Sequence, residues 1–430
     1  MSMTASLSAE VVPSFTLANQ LWDCYSPRDF AIRLWDGTTL GPDSGQPARF
    51  TLVVNHPGAL RQMFWPFNYS NVGEAYIFND IDIEGDPERF MDVVMQWRER
   101  LLALSMWQKL GFMRQLLAMP NQARPRQRQR AAQLSGDVHS QDRDKQAISY
   151  HYDLSNDFFA QCLDRRMVYT CAYYKQNDDS LDLAQEQKLD HICRKLRLAP
   201  GMRLLDIGCG WGGLIMHAAE KYGAHCLGVT LSKAQHQLAS ERIWAAGLQD
   251  RCQAVLQDYR ELREAESFDR ISSIEMVEAV GAKNLPEYFG AVARLLKPGG
   301  VYLHQGITMR PFTPLPPWAA FTFKYVFPDG ELVTLPETEN LLAAAGLEVR
   351  DVESLREHYF YTLRHWLQRL EHNHEEVVRL TDEVTYRIFR IFFAGASYGF
   401  KSTIYNLYQV VAAKAGADFS GLPLTRTDWY

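Results

Sequence analysis

Short apolar runs alternate with longer amphipathic segments through the middle of the chain, between residues 203 and 304. The runs have the length of buried strands, and the apolar positions between them recur every three or four residues, as in helices. Strands that alternate with helices in this way favour a doubly wound, mostly parallel sheet of the α/β class. The predicted strands cover residues 203–207, 226–230, 253–256, 268–274 and 300–304. The predicted helices cover residues 213–222, 232–246 and 284–296.

The first part of the chain has a different pattern, in which short strand-like runs are separated by turn residues. One such run is 50–54, and the Asp-Gly pair at 36–37 is one of the turn signals. Between residues 90 and 119 the apolar positions recur at helical spacing, which predicts helix with a wide apolar face. We therefore expect a small α+β domain over residues 1–122, which serves lipid binding or dimerisation.

An arginine-rich stretch separates this region from the rest of the chain. Four arginines alternate with other residues between Arg124 and Arg130, and a polar stretch follows. Such a composition is typical of a solvated, flexible linker, which we place at residues 123–147. The alternative is that the arginines hold the protein close to anionic lipid. Residues 148–430 then form the second domain.

Two aromatic-rich segments lie beyond the predicted sheet. Residues 311–330 are rich in proline and aromatic side chains, and a loop of this length is typical of a lid. The alternative is a surface excursion packed against the sheet edge. Residues 375–414 predict helix, and their aromatic side chains either line a long apolar cavity or fill a core.

Composition argues against several classes of protein. The 430 residues suffice for two domains, and 47% hydrophobic residues with a net charge of −6 indicate neither disorder nor a nucleic-acid-binding surface. The seven cysteines include no Cys-x-x-Cys pair, which argues against a disulfide framework and a zinc site. The sequence contains no signal-peptide pattern and no run of about 18 apolar residues. We therefore expect a cytoplasmic protein with, at most, peripheral membrane contact.

A glycine-rich turn follows the first predicted strand of the parallel sheet. Gly208, Gly210 and Gly213 fit the G-x-G-x-x-G pattern, in which glycine allows positive φ and the close approach of a nucleotide-bearing cofactor. A dinucleotide fold normally has an acidic residue about 20 positions further on, where this chain has Thr230. Asp206 lies just before the turn, and the next strand ends in Gly-Val-Thr-Leu-Ser. This arrangement favours S-adenosylmethionine over a dinucleotide; a tight turn without a ligand is the remaining alternative.

Further motifs stand in order around this turn. They are His-Tyr-Asp-Leu-Ser-Asn-Asp-Phe-Phe at 151–159, Met-Val-Tyr-Thr-Cys-Ala-Tyr at 167–173, Glu-Ala-Val-Gly at 278–281 and Phe-Pro-Asp-Gly at 327–330. Together they resemble the cyclopropane fatty acid synthase family, which includes the mycolic acid methyltransferases. The resemblance implies a Rossmann-like class I methyltransferase domain over residues 148–430, with an acyl-chain cavity. It also implies transfer of a methyl group from S-adenosylmethionine to the double bond of an unsaturated acyl chain, usually in a phospholipid, to form a cyclopropane ring.

The resemblance also supplies two groups of site residues by position. One group would surround S-adenosyl-L-methionine at the carboxyl ends of the strands, where open sheets bind ligands. With Asp206 included, its members are Tyr169, Thr170, Asp206, Gly208, Gly210, Thr230, Leu231, Gln235, Gln257 and Asp258. The second group would hold a bicarbonate ion that acts as the catalytic base. Its side chains are those of Cys171, Glu278, His304 and Tyr359.

The implied reaction sets physical requirements on the site. An alkene is a weak nucleophile and its methylation gives a carbocation, so water must be excluded and the positive charge stabilised. Aromatic faces suit this charge, although each candidate tyrosine is equally compatible with a place in the core. The candidates are Tyr173, Tyr174, Tyr325, Tyr359 and Tyr361. A base must then take a proton from the transferred carbon before the ring can close.

The sequence departs from the family pattern around the second group of site residues. Ala279 stands where many members have histidine, and the segment 305–308 after His304 affects the expected backbone contact to the ion. Glu275 adds a second carboxylate one helical turn before Glu278. An additional base allows loss of a proton from a neighbouring carbon, which would give a methylene or methyl-branched chain.

Structural roles remain open for the four bicarbonate side chains. Cys171 is also compatible with a small buried apolar residue, Glu278 with a helix start, His304 with a core histidine and Tyr359 with a packing residue. If Glu278 does serve the base, Glu278→Gln lowers turnover and leaves cofactor binding nearly intact.

Two other functions remain open at this point. A lipid carrier with the same fold would bind the cofactor without turnover, and a methyltransferase for a soluble metabolite would work without lipid. The expected partners are an unsaturated phospholipid or fatty acyl substrate and, by peripheral contact, the inner face of the membrane. Nucleic acid is not an expected partner, and a homodimer is a candidate assembly.

Overall fold

The computed structural model describes residues 12–23, 25–26, 28–43, 45–65, 70–121, 131–152, 154–263, 265–415 and 422–429. These residues form two compact units. Unit 1 consists of the described parts of Met1–Ala131, Leu315–Val326 and Asp382–Tyr398, and unit 2 of the described parts of Ala132–Pro314, Phe327–Thr381 and Gly399–Tyr430. The arginine-rich stretch 124–130 lies outside the described residues, so the linker and the domain boundaries stay predictions.

Helices and strands make up most of both units. In chain order, the strands are β1 (Phe30–Arg33), β2 (Thr39–Leu40), β3 (Phe50–Val54), β4 (Ile81–Gly85), β5 (Arg203–Ile207), β6 (His225–Thr230), β7 (Cys252–Leu256), β8 (Phe268–Ile274), β9 (Leu296–Met309), β10 (Leu347–Ser354) and β11 (Tyr405–Lys414). The helices are α1 (Val12–Asp23), α2 (Ala59–Phe64), α3 (Asn71–Ile77), α4 (Pro87–Ala103), α5 (Met106–Ala118), α6 (Gln141–Tyr152), α7 (Asn156–Cys162), α8 (Leu181–Lys195), α9 (Gly213–Tyr222), α10 (Lys233–Ala245), α11 (Val277–Val280), α12 (Leu285–Leu295), α13 (Pro317–Tyr325), α14 (Leu335–Ala344), α15 (Arg356–His372), α16 (His374–Leu380) and α17 (Glu383–Lys401). Within the described ranges, no helix combines the length and the apolarity needed to cross a bilayer.

Unit 1 is built on a four-stranded sheet in the order β2-β1-β3-β4, as expected for a small α+β domain. The pair β1 and β3 is parallel, and the other neighbouring strands are antiparallel. The helical pattern predicted over residues 90–119 divides into α4 and α5. The division occurs because Ser105 and Gln108 form a capping box, in which each side chain binds the other residue's backbone N–H.

Two later segments of the chain belong to unit 1. In α17, Arg387 donates a hydrogen bond of 2.9 Å to the carbonyl oxygen of Tyr76, and Arg390 donates at 2.9 Å to the carbonyl oxygen of Ile83. Lys324 of α13 pairs with Glu74 at 2.7 Å. Part of the segment 311–330 is thus the packed helix α13, and its action as a lid stays a prediction.

Unit 2 contains a seven-stranded sheet in the order β10-β11-β9-β8-β5-β6-β7. Strands β5 to β9 are parallel to their neighbours within this group, which confirms the doubly wound α/β fold. One face of the sheet packs on α8, α9 and α10 and the other on α12 and α14. The predicted strands and helices between residues 203 and 304 match the observed ones to within a few residues, except that β9 continues to Met309.

The helix predicted over residues 375–414 is wrong in its last part. Residues 405–414 form β11, which lies antiparallel between β9 and β10. Val410, Val411 and Ala412 are all buried, because this strand is covered on both faces. A strand buried on both faces has a continuous apolar run instead of alternation, and such a run resembles a buried helix in sequence.

The topology gathers the ends of five strands at one edge of the sheet. Because β5 to β9 are parallel, their carboxyl ends and the turns that follow them share that edge. In open α/β sheets this edge is where ligands bind. The predicted site residues from β5 through β9 lie in or just beyond these strand ends.

Candidate active site

The turn between β5 and α9 is shaped by glycine. Gly208 has a φ of +84° and Gly210 a φ of +53°, a region that favours glycine. A Cβ atom at Gly208 would lie 2.4 Å from Cγ of Met276, so this position cannot hold a side chain without movement. A Cβ atom at Gly210 would meet no described atom within 4 Å. The turn is therefore closed against Met276 at one glycine and open at the other.

Polar groups of β5 and β6 lie beside this turn. Asp206 in β5 accepts a hydrogen bond of 2.7 Å from the Ser272 hydroxyl, and burial raises the pKa of Asp206 to about 6. At the end of β6, the Thr230 hydroxyl donates to Oε1 of Gln235 at 2.8 Å. Leu231 follows Thr230 and is half-buried. These residues form a short polar rim along the edge of the sheet.

The end of β7 continues the same rim. The backbone N–H of Gln257 donates to the carbonyl oxygen of Thr230 at 3.1 Å, which joins the two strand ends. The next residue, Asp258, is buried, and its carboxylate binds the guanidinium of Arg260 at 2.8 Å. A cofactor that carries a nucleoside and an amino acid needs an open glycine turn and polar groups at neighbouring strand ends. The residues on this edge fit S-adenosylmethionine.

Tyr169 and Thr170 lie on the segment that leads to Cys171. The ring of Tyr169 packs with those of Phe159 and Trp366 at centroid distances of 5.3 and 5.0 Å. Its hydroxyl is buried and has no hydrogen-bond partner in the described part of the chain. The Thr170 hydroxyl accepts a hydrogen bond of 2.8 Å from Lys188, a buried lysine that the sequence reasoning did not select. A ligand that brings a polar atom to Tyr169 would satisfy this hydroxyl.

A buried carboxylate, that of Glu275, lies at the centre of the next group of residues. Its Oε1 accepts hydrogen bonds from the backbone N–H of Cys171 at 2.9 Å and from Nε2 of Gln305 at 2.7 Å. Its Oε2 accepts a hydrogen bond of 2.6 Å from the Tyr359 hydroxyl. The structure thus brings together Cys171 and Tyr359, two of the predicted side chains, around a glutamate that the sequence had suggested only as an additional base.

Glu275 differs from its neighbours Cys171 and Tyr359 in its acid–base properties. Burial raises the pKa of Glu275 above its ordinary value, and its three hydrogen bonds and the nearby Lys188 offset only part of this rise. Burial, reinforced by the charge of Glu275, also raises the pKa of the Cys171 thiol and of the Tyr359 phenol. Cys171 and Tyr359 therefore keep their protons. Glu275 accepts hydrogen bonds from three donors, as a carboxylate does, so it is the member of the group that can accept a proton.

Glu278 is a second buried carboxyl group near the same strand end. Its Oε1 accepts a hydrogen bond of 2.6 Å from the backbone N–H of Ile307, and its Oε2 has no partner among the groups that the structure describes. Burial, with the charge of Glu275, raises the pKa of Glu278 to about 8. At neutral pH this side chain is protonated, so it is a donor in that state.

His304 lies apart from the Glu275 group. Successive residues of a strand point to opposite faces, so His304 and Gln305 of β9 point away from each other. Nδ1 of His304 is 3.3 Å from the Tyr302 hydroxyl, and the ring meets Phe289 edge-on at 5.6 Å. Burial lowers the pKa of His304 to about 4, so the ring is neutral. Its assignment to the base site stays a prediction.

The residues around Glu275 do not fit a bicarbonate ion. The Cys171 N–H and the Tyr359 hydroxyl, two donors available to such an ion, bind the Glu275 carboxylate instead. A second anion there would face a carboxylate at short range, which is electrostatically unfavourable in a buried site. The side chains of the protein are therefore the candidates for the catalytic base.

The remaining tyrosine candidates lie in different surroundings. Tyr173 stacks between His191 and His358 at 4.3 and 4.6 Å. Tyr174 packs with Tyr361 at 5.7 Å. Tyr325 belongs to unit 1. Among the five candidates, Tyr359 is the one with a described hydrogen bond to Glu275, which favours it over the others for a place near the reacting carbon.

Comparison with known proteins gives a consistent picture. The family described as "Mycolic acid cyclopropane synthetase" matches residues 139–410. The chain is 38% identical over 403 residues to a probable fatty acid methyltransferase of Pseudomonas putida, covering 93% of this chain and 95% of that protein. It is 39% identical over 267 residues to the cyclopropane-fatty-acyl-phospholipid synthase of Escherichia coli, covering 61% of this chain and 66% of that protein. Among solved structures, mycolic acid cyclopropane synthase CmaA1 complexed with SAH and CTAB matches with a TM-score of 0.60 at 32% identity, covering 63% of this chain and 98% of CmaA1.

Proposed function

The chain belongs to the mycolic acid cyclopropane synthetase family of S-adenosylmethionine-dependent methyltransferases, and we propose that it methylates the double bond of an unsaturated fatty acyl chain, in a phospholipid. S-Adenosylmethionine supplies an electrophilic methyl group, and the glycine turn with its polar rim holds this donor. The names of the relatives from P. putida and E. coli support a fatty acyl acceptor. The observation that carries the proposal is the buried Glu275 carboxylate, held by Cys171, Gln305 and Tyr359.

Glu275 acts as the base in this proposal. When the alkene takes up the methyl group, one carbon of the former double bond becomes a cation. Removal of a proton from the new methyl group releases the electron pair that closes a cyclopropane ring, and the proton passes to Oε2 of Glu275. The Tyr359 hydroxyl donates a hydrogen bond of 2.6 Å to the same oxygen, so the tyrosine brings an aromatic ring near the developing charge.

A branched product is the second candidate. Glu275 is a side chain, so the backbone fixes its position. A proton on an acyl carbon next to the cation is therefore an alternative target for this base. Loss of that proton gives a methyl-branched alkene. The P. putida relative, which is similar along almost its whole length, is named a probable fatty acid methyltransferase, and this name is compatible with a methyl-branched product.

Deuterium in the donor distinguishes the two products. With S-adenosylmethionine that carries a trideuterated methyl group and vesicles of unsaturated phospholipid, ring closure leaves two deuterium atoms in the product lipid. Loss of a chain proton leaves three. Mass spectrometry of the lipid measures this count, and catalytic hydrogenation separates a ring, which survives, from an alkene, which takes up hydrogen. Formation of S-adenosylhomocysteine with no lipid present would contradict the acyl acceptor, and its absence with every unsaturated lipid would contradict catalysis.

Unit 1 offers a surface suited to the lipid phase. Helix α5 exposes Met106, Trp107, Leu110 and Leu117, and the Trp107 side chain is 83% accessible. Lys109 lies on the same helix and is also exposed. Large apolar side chains beside basic ones are typical of helices that lie in a membrane interface. We propose that α5 contacts an anionic membrane, assisted by the arginines of 124–130; the homodimer and the cytoplasmic location stay predictions.

A further inference from the structure

A row of buried polar side chains leads from the Glu275 carboxylate into the interior of unit 2. Gln305 of β9 and Gln409 of β11 face each other in the strand register, and both are fully buried. Nε2 of Gln305 donates to Glu275 at 2.7 Å, and Nε2 of Gln409 donates to Oε1 of Gln305 at 2.8 Å. The two amides therefore form a directed chain of hydrogen bonds that ends on the carboxylate.

The other end of the row is a buried lysine. Nζ of Lys195, on α8, donates to Oε1 of Gln409 at 2.9 Å, and the Lys195 side chain is completely inaccessible. Lys195 also pairs with Glu353, and it lies 3.9 Å from Asp351. Glu353 in turn is bound by His191 at 2.8 Å. Burial lowers the pKa of Lys195, whereas these acidic partners raise it and so favour the charged ammonium.

The chemistry of the amide group makes the direction of the row significant. A glutamine amide has a donor end and an acceptor end of similar shape, so packing alone does not decide which end faces a neighbour. An ammonium group only donates, so the oxygen of Gln409 must face Lys195 and its NH₂ group must face Gln305. The NH₂ group of Gln305 must then face Glu275. One cation at the far end thus selects the orientation that favours an ionised carboxylate.

The other groups around Glu275 and Lys195 do not replace this effect. The titratable groups that act on Glu275 are Tyr152, Tyr169, Cys171, Lys188, Glu278 and Tyr359. Those around Lys195 are His191, Asp351, Glu353 and Arg426. Lys188 is the cation among the first set, and its Nζ donates to Thr170. The amide row is the described hydrogen-bonded connection between Lys195 and Glu275.

We propose that Lys195 and Gln409 are positioning residues that hold the Gln305 amide with its donor end toward Glu275 and thereby favour the ionised form of Glu275 for proton abstraction. This inference rests on the proposed role of Glu275 as the base. It adds two residues that support the base, although neither has a described hydrogen bond to Glu275 or lies in the cofactor rim.

The test is the pH dependence of turnover in two variants. Lys195→Met removes the cation, and Gln409→Met interrupts the row while every charge remains. In each variant the carboxylate loses support for its charged form, so the acid limb of the turnover profile moves about one unit toward higher pH. Turnover well below the limb falls about tenfold, the alkaline plateau stays within about twofold, and affinity for S-adenosylmethionine is unchanged. Lys414→Met is a matched control. Lys414 lies on β11, the strand that carries Gln409, and pairs with Glu266 at 3.2 Å.

Non-additivity gives the decisive outcome. If one row transmits the effect, the double variant shifts the acid limb no further than the larger single shift. A wild-type acid limb in the variants, or a double shift equal to the sum of the single ones, overturns the proposal. If Lys195→Met does not fold by circular dichroism, Gln409→Met alone decides. Loss of turnover in Glu275→Gln with unchanged acid limbs in the other variants rejects the row and keeps the base, whereas an active Glu275→Gln rejects the base itself.

Discussion

The backbone of Glu275 has a conformation that favours glycine, and its side chain lies at the centre of the site. Its φ is +56°, a region in which a residue with a Cβ atom is strained by about 1 kcal/mol or more. The backbone N–H of Glu275 donates to the carbonyl oxygen of Gln305 at 2.7 Å, which helps to hold this conformation. The strained conformation and three side-chain hydrogen bonds together point the carboxylate toward Cys171 and Tyr359.

We expect Glu275→Gln to abolish most turnover while the protein still binds its cofactor. An amide cannot accept the proton, and loss of a positioned base typically lowers the rate about 10²–10⁴-fold. Turnover of the deuterated donor and calorimetric titration with S-adenosylhomocysteine measure the two effects separately.

Glu278→Gln is the matched control for this change. Glu278 is protonated at neutral pH, and an amide resembles a protonated carboxyl group, so we expect turnover at pH 7 within about threefold of wild type. A large loss in Glu278→Gln with a small loss in Glu275→Gln would instead support the assignment made from the sequence.

Long-range partners are the part of the site that the sequence could not predict. Glu275 was visible as a second carboxylate, but its partners Cys171, Gln305 and Tyr359 are 104, 30 and 84 positions away. Lys188 was not selected, because a lysine in a polar helix normally faces solvent. Gly208 and Gly210 have a local sequence pattern, and they lie in the turn that this pattern predicted.

Among the elements, the β5–α9 turn shows how two glycines differ in what they require. Gly208 is packed against Met276, and Gly210 faces open space. Both have positive φ, so an alanine strains the backbone at either position. Of the two, only Gly208 also lacks space for a Cβ atom.

Alanine at the two positions therefore has different consequences. We expect Gly208→Ala to lower the free energy of unfolding by about 2–3 kcal/mol, because strain adds to the clash with Met276. We expect Gly210→Ala to lose only about 1 kcal/mol but to bind S-adenosylmethionine at least tenfold more weakly. Thermal unfolding and calorimetric titration measure both quantities, and equal effects on stability and binding at the two positions would contradict this division.

Strands differ in how well the chain reveals them. The strands β5 to β8 are short apolar runs between amphipathic helices, and the sequence predicts each of them closely. β11 follows the aromatic helix α17 with little separation, and its continuous apolar residues were read as more helix. The physical reason is burial on both faces, which removes the two-residue period that distinguishes a strand.

For the whole molecule, the proposed phospholipid acceptor requires contact with a bilayer, which exposed apolar side chains would make. An acyl chain in a bilayer is accessible only to a protein that binds the surface of that bilayer. Trp107 on α5 of unit 1 is 83% accessible, and Trp244 on α10 of unit 2 is 73% accessible. These two tryptophans allow a matched comparison.

Trp107→Ser weakens binding to anionic vesicles in our proposal, whereas Trp244→Ser does not. An interfacial tryptophan contributes on the order of 1–2 kcal/mol, so we expect the partition coefficient to fall about fivefold or more. Sedimentation with vesicles of anionic phospholipid measures it, and activity on a detergent-dispersed lipid shows that each variant is folded. Equal loss in both variants, or none in Trp107→Ser, would reject α5 as the membrane contact.

The position of β11 between β9 and β10 has a consequence for the timing of activity during synthesis. This strand leaves the ribosome after β5 to β10, yet it supplies the immediate neighbour of β9 along Tyr405–Ala413. A nascent chain that already contains the glycine turn between β5 and α9 still lacks Gln409 beside Gln305. A polypeptide that ends before β11 would therefore contain the glycine turn without the amide that we propose orients Gln305, so we expect the base to be set only after β11 joins the sheet.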